Sequence, residues 1–204
     1  ATSAGDTNYY AATTSQLITI SKGTPTLVMT SASTMTTGTS ITATVTTNAT
    51  GGRGGAITFA VIGGSGSATV DPMTGLISAV SVGTVTLIST SAGDTNYNGA
   101  TVSQLITITG GSQTLTVTSA SIMTVDGTLT ASVTTTATFG RGGTWSYGIV
   151  NATGIATVNP ITGLITAIGV GEVPLTVAST GDADYNAATT QRLITSGKAT
   201  PVLT

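Results

Sequence analysis

The chain is 204 residues long, 39% apolar and only 6% charged, with five basic and seven acidic side chains and a net charge of −2. An ordinary globular protein is about a quarter charged, so this one has no basic field for a phosphate backbone, and nucleic acid is excluded as a partner. Cys and His are both absent, which removes disulfides, thiol chemistry and the usual zinc frameworks. No apolar run approaches the ~18 residues of a membrane span, and no basic stretch followed by an apolar one marks a secretion signal within these residues.

Taken in chain order, the sequence opens on a turn, Gly5-Asp6-Thr7-Asn8-Tyr9, followed by the strand-like Leu17-Ile18-Thr19. Short alternating runs then follow at the 8–12-residue spacing of an all-β domain. Thr26–Ser31 places Leu27 and Met29 on one face, Ser40–Thr47 places Ile41, Ala43 and Val45, and Ala56–Ile62 places Ile57, Phe59 and Val61. Ala68–Val70, Leu76–Val80, Thr84–Thr90 (Val85 and Leu87 inward) and Thr101–Thr109 complete about seven strands. Thr or Ser fills most intervening positions, so one face goes to a core and the other to water. Thr, about a quarter of the chain, combines β propensity with an exposed hydroxyl.

The turns carry their own chemistry. Asp71-Pro72-Met73-Thr74-Gly75 and Asn159-Pro160-Ile161-Thr162-Gly163 have Asx first, Pro second and a late Gly, which suits a type I turn closing on a positive-φ glycine. Gly52-Arg53-Gly54-Gly55 and Gly140-Arg141-Gly142-Gly143 precede the third strand of each set. Pro174 stands where the earlier copy has Thr86. It places its strand at a sheet edge or turns its missing N–H away from the ladder.

These paired motifs reflect an internal repeat. The Gly-Asp turn begins at residues 5, 93 and 181, an offset of 88 each time (93 − 5 and 181 − 93), and the Leu-Ile-Thr triplets at 17, 105 and 193 keep the same offset. Residues 24–111 and 112–199 align without a gap. A period of 88 is too long for a solenoid rung and fits one small sandwich of about 100 residues. The expected organisation is therefore all-β, tandem immunoglobulin-like antiparallel β-sandwiches. Residues 1–23 are expected to be the C-terminal strands of a preceding repeat and 200–204 the first strand of a following one. Linkers are expected near Ser21–Thr24, Gly110–Ser112 and Ser196–Thr200.

The runs ATVDPMTGLISAVSVGTVTLIST (Ala68 to Thr90) and ATVNPITGLITAIGVGEVPLTVAST (Ala156 to Thr180) resemble the bacterial immunoglobulin-like group 2 repeat. Trp145-Ser146-Tyr147 is similar to that family's third-strand core segment, and the first copy departs from it with Ile57-Thr58-Phe59. The resemblance covers essentially the whole chain. It implies a secreted or surface-anchored bacterial protein in which such units act as stalks, spacers or adhesive modules; one sandwich hosts many functions, so it is specific for fold and weak for activity.

Candidate sites are few. Asp94, Asn96 and Asn98, and again Asp182, Asp184 and Asn186, put oxygens at alternate positions as a calcium loop does, but no bidentate Glu follows. The competing reading is an Asx-stabilised hairpin turn with Tyr packed over the end of the core. Arg53 and Arg141 suit an anionic sugar, a neighbouring unit's carboxylate, or simple capping of loop carbonyls. No Gly-Lys-Ser/Thr follows the Gly runs, so they do not form a phosphate loop. Glu172 is the one Glu and the six Asp lie mainly in turns, which leaves no paired carboxylates for glycosidic chemistry. The chain is thus expected to be no enzyme, to need no cofactor and to be a structural segment of an extracellular filament or adhesin stalk. Its expected partners are neighbouring repeats or identical chains in a fibre. The alternative is a glycan-binding module on a cell surface.

Overall fold

The computed structural model describes residues 1–150 and 155–200. Every regular element among them is a strand, and no helix there is long and apolar enough to cross a membrane. The strands fall into two groups whose ranges repeat at the sequence offset.

In the first group, Ile57–Gly63, Gly83–Ser91 and Ala100–Thr109 form an antiparallel sheet, joined along Ala100–Thr109 by the parallel strand Thr34–Thr36. The facing layer is Ser40–Thr42, Leu76–Ser81 and Ser67–Val70, extended by the pair Leu27–Met29 and Val45–Thr47. The run 40–47 breaks at Ala43-Thr44, so its two halves pair with different neighbours, Leu76–Ser81 and Leu27–Met29. Counted as one bent strand, it gives a layer of four against a layer of three, the constant-type immunoglobulin arrangement. The second group repeats the pattern with Trp145–Ile149, Gly171–Ser179, Ala188–Gly197 and Ile122–Thr124 in one sheet and Thr128–Thr130, Leu164–Ala167 and Ala156–Val158 in the other.

Each group closes on its own core. Ile77, Val85, Leu87 and Ile106 are fully buried in the first, and Ile165, Val173, Leu175, Val177 and Ile194 in the second. Burying each such side chain stabilises by about 1.5–3 kcal/mol. Phe59 and Val61 pack against the first cluster, Trp145 and Tyr147 against the second. The inward positions read from the alternation are therefore the ones that pack.

Three details differ from expectation. Thr34–Thr36 and Ile122–Thr124 are short strands that the alternation did not signal; Met35 and Met123 are buried there, but three residues carry no usable period. Pro174 lies in a central strand, between Trp145–Ile149 and Ala188–Gly197, and not at an edge. Its carbonyl accepts from Val150 N at 3.1 Å, so the missing N–H faces the same side, beyond the last residue of Trp145–Ile149, where the ladder requires no donor. Ser196, expected in a linker, belongs to Ala188–Gly197 and pairs with Met123. Of the segment 200–204, only Thr200 lies within the described residues.

Residues 1–22 stand apart from both cores. Thr2–Ser3 pairs with Ala12–Thr13 in a minimal hairpin, while Leu17, Ile18 and Ile20 are exposed. Ile106 and Ile108, one period on from Ile18 and Ile20, are buried.

Candidate functional site at the sandwich junction

The Gly-rich turn and the Gly-Asp turn meet at the same end of each strand group. In the second, Asp182 Oδ1 accepts from the backbone N–H groups of Asp184 and Tyr185 at 2.8 and 2.9 Å, and Oδ2 from Gly142 N at 2.6 Å. Asp94 repeats this with Asn96 N, Tyr97 N and Gly54 N at 2.7, 2.8 and 2.7 Å. The N–H groups of Gly142 and Gly54 are the main reason that these carboxyls are held below the usual carboxylate range. Asp6 caps Asn8 N and Tyr9 N in the same manner. Ser179 and Ser91 donate their hydroxyls to the carbonyls of Gly142 and Gly54, tying the two turns together.

Buried Gln113 adds a network that sequence reading missed. Its Nε2 reaches Gly142 O at 2.7 Å, Ser179 Oγ at 3.0 Å and Asn186 O at 3.1 Å. The matching position in the first copy is Pro25, so this network exists in one group only.

Beyond these shared turns, the second group grips the first. Arg141 donates through NH1 to Val80 O at 2.7 Å and to Asp184 Oδ2 at 2.5 Å. Asp184 Oδ1 accepts from Val82 N at 2.6 Å. The side chains of this pair are 28% and 14% exposed, so the charge-assisted bonds are partly shielded from water. The linker is stitched in as well. Gly111 N donates to Asp184 O and Asn186 N donates to Gly111 O, both at 2.9 Å. Tyr185, only 3% exposed, is part of neither core cluster. Its ring lies against Gly111 and its hydroxyl against Gly38, where an added Cβ would come within 2.6 Å of it. Tyr185 thus fills the junction, with its hydroxyl on Thr138, where a place over the core end was expected.

The first group presents the same constellation uncovered. Gly23 bridges to the Tyr97 turn through Gly23 N to Asn96 O and Asn98 N to Gly23 O, and Lys22 Nζ donates to Asp94 O at 2.8 Å. Arg53 is exposed in a shallow cleft with Ile20, Lys22, Gly23, Asn96 and Tyr97.

The six candidate calcium ligands therefore stand in different settings. Asp94 and Asp182 cap backbone N–H groups, Asp184 bridges Arg141 and Val82, Asn96 lines the cleft, Asn98 reaches Thr24 Oγ1 at 3.3 Å, and Asn186 supplies its carbonyl to Gln113. Among the described residues, no three or more acidic side chains converge as a metal site needs. Arg141 and Asp184, singled out separately in the sequence, are brought together; Arg53 has Asn96 where Arg141 has Asp184.

The strand order defines the class of protein: immunoglobulin-like β-sandwiches in an all-β chain. No protein-family model matches the chain, and no curated protein matches it in sequence. Solved structures similar to it include N-cadherin EC1-3 of Drosophila, 11% identical over 87% of this chain and 69% of that one, with a TM-score of 0.35. The fibronectin(III)-like modules of Clostridium thermocellum CbhA are 13% identical over 85% and 95%, at 0.32. Domains 4 and 5 of the S-layer protein SbsC are 14% identical over 88% and 100%, at 0.34. Likeness at this level carries no argument about function.

Proposed function

We propose that the chain is a structural segment of an extracellular bacterial filament or adhesin stalk, with units 24–111 and 112–199 acting as spacers. The observation that carries this reading is the junction. A one-residue bridge at Gly111, the Arg141–Asp184 pair on Val80 and Val82, and buried Tyr185 tie one sandwich to the next. A short linker with its polar groups satisfied on both sides limits bending, which a spacer needs. The extracellular bacterial setting draws on the resemblance of the runs 68–90 and 156–180 to group 2 repeats. Arg141, already engaged by Val80 and Asp184, lends no support to the glycan-binding alternative.

Small-angle scattering on the dilute chain tests the proposal. The wild type should give one extended, narrowly distributed particle, and the double variant Arg141→Ala/Asp184→Ala a broader distribution with both sandwiches still folded. A wild type that already behaves as two freely jointed beads would sink the spacer reading.

A further inference from the structure

The internal junction is a plug in a socket. The plug is the end of the first sandwich where Gly38 and the Val80–Val82 turn lie side by side; Gly38 N donates to Ala79 O at 3.3 Å. The socket is Arg141, Asp184, Tyr185 and Gly111 of the second sandwich. The chain contains a second plug and a second socket, one at each far end, uncovered among the described residues. The second plug is Asp126 with the turn Ile168–Val170, and Asp126 N donates to Ala167 O at 3.1 Å just as Gly38 does to Ala79. Ile168 and Val170 are 54% and 53% exposed, whereas Val80 and Val82 are half-buried. The second socket is Arg53, Asn96, Tyr97 and Gly23.

These two open ends differ from the internal pair in a complementary way. Inside, the plug is neutral at Gly38 and the socket supplies the carboxylate that holds its arginine, Asp184. Outside, the socket has lost that carboxylate to Asn96 and gained Lys22, where the internal linker has Gly110. The plug has gained Asp126 for Gly38 and Glu172 for Thr84. The negative charge has moved from one partner to the other. Asp126 sits next to the Ile168 carbonyl, which matches the Val80 carbonyl that Arg141 holds, so a docked plug sets its carboxylate beside Arg53. Tyr97 is the group that must yield. Asp126 occupies the place where even a Cβ on Gly38 would crowd the tyrosine hydroxyl, and a side-chain tip can move aside while its O–H donates to the new carboxylate. Asp126 also holds a positive φ of 65, a conformation that Asp tolerates better than most residues.

We infer that the Arg53–Tyr97 end of the first sandwich is a docking socket for the Asp126/Ile168–Val170 end of a second copy of this chain, so that copies join end to end. Asp126 then replaces Asp184 as the arginine's partner, and Asn96 Oδ1 accepts from Val170 N as Asp184 does from Val82 N. This deepens the spacer proposal and rests on it for its setting.

Sedimentation velocity over a concentration series at low salt tests the inference on the full chain, with melting temperature recorded for every variant. The wild type should lengthen with concentration, and Arg53→Glu should weaken association about tenfold or more. Asn96→Asp alone, which returns a carboxylate to the socket, and Asp126→Gly alone, which removes one from the plug, should each weaken it. The double variant Asn96→Asp/Asp126→Gly, which copies the internal junction, should restore it. Because the chain has no Cys, Asn96→Cys/Val170→Cys should oxidise to a ladder of end-linked multimers. A wild type that stays monomeric throughout, association indifferent to Arg53→Glu, or a double variant no better than the singles overturns the inference. Dilute-chain scattering, which reads only the internal junction, leaves the spacer proposal standing or falling separately.

Discussion

Comparing the copies residue by residue exposes an imperfection in the first core. Ser89 is fully buried and its hydroxyl has no partner, while the matching residue of the second copy is Val177, equally buried. A buried hydroxyl without a hydrogen bond costs about 1–3 kcal/mol, and a Val side chain fills the same space with apolar atoms. Ser89→Val should therefore stabilise the first sandwich by roughly 1 kcal/mol or more in denaturant unfolding, and Val177→Ser should destabilise the second. Turn carboxylates act at the same scale but on the pH axis. Asp71, Asp94 and Asp182 are all held low, chiefly by the backbone N–H groups of Thr74, Gly54 and Gly142 respectively. A folded-state pKa below the unfolded one contributes stability that is present above the unfolded value, about pH 4, and is lost as pH falls through the folded value. Melting temperature should be flat from neutral pH to about 5 and decline below about 4; Asp94→Asn/Asp182→Asn should shrink that decline.

At the scale of elements, burial separates the segments. Strands Gly83–Ser91 and Ala100–Thr109 alternate buried and open along most of their length, whereas residues 1–22 place Leu17, Ile18 and Ile20 in water. A segment that buries none of its large apolar side chains adds little stability. Removing residues 1–21 should leave the melting temperature of the rest within about 1 °C. A large fall would mean that this segment covers one of the cores. The turn elements should also be metal-independent, because Asp94 and Asp182 are committed to N–H groups. Chelator should leave the melting curve unchanged, and a sharp drop would return Asp94, Asn96, Asn98, Asp182, Asp184 and Asn186 to the role of calcium ligands.

For the whole molecule, what matters is how one sandwich is set against the next. Hydrogen bonds to charged groups contribute about 1.5–3 kcal/mol each, and the Arg141–Asp184–Val82 chain makes three such contacts across or beside the junction. Arg141→Ala leaves Asp184 half-shielded without its cation and should loosen the junction more than Arg53→Ala loosens anything in the dilute chain. Fluorescence energy transfer between labels on the two sandwiches measures the difference. At higher concentration the ranking should reverse, with Arg53 governing contacts between copies.

Much of this was legible in the chain itself. The β class, the period, the inward residues Leu87, Val85 and Leu175 and the Asx turns follow from alternation, β-branched side chains and turn chemistry, all of them local rules that act within a few residues. The parallel strands at Thr34–Thr36 and Ile122–Thr124, the central position of Pro174 and the Gln113 network did not, because each depends on a partner some 30 to 70 residues away. Arg141 and Asp184 could be picked out by type, but only folding brings them to 2.5 Å and aims both at the backbone of the preceding sandwich. Local interactions are written in sequence spacing; a junction is made by groups that spacing keeps apart, and only the packed chain decides that they meet.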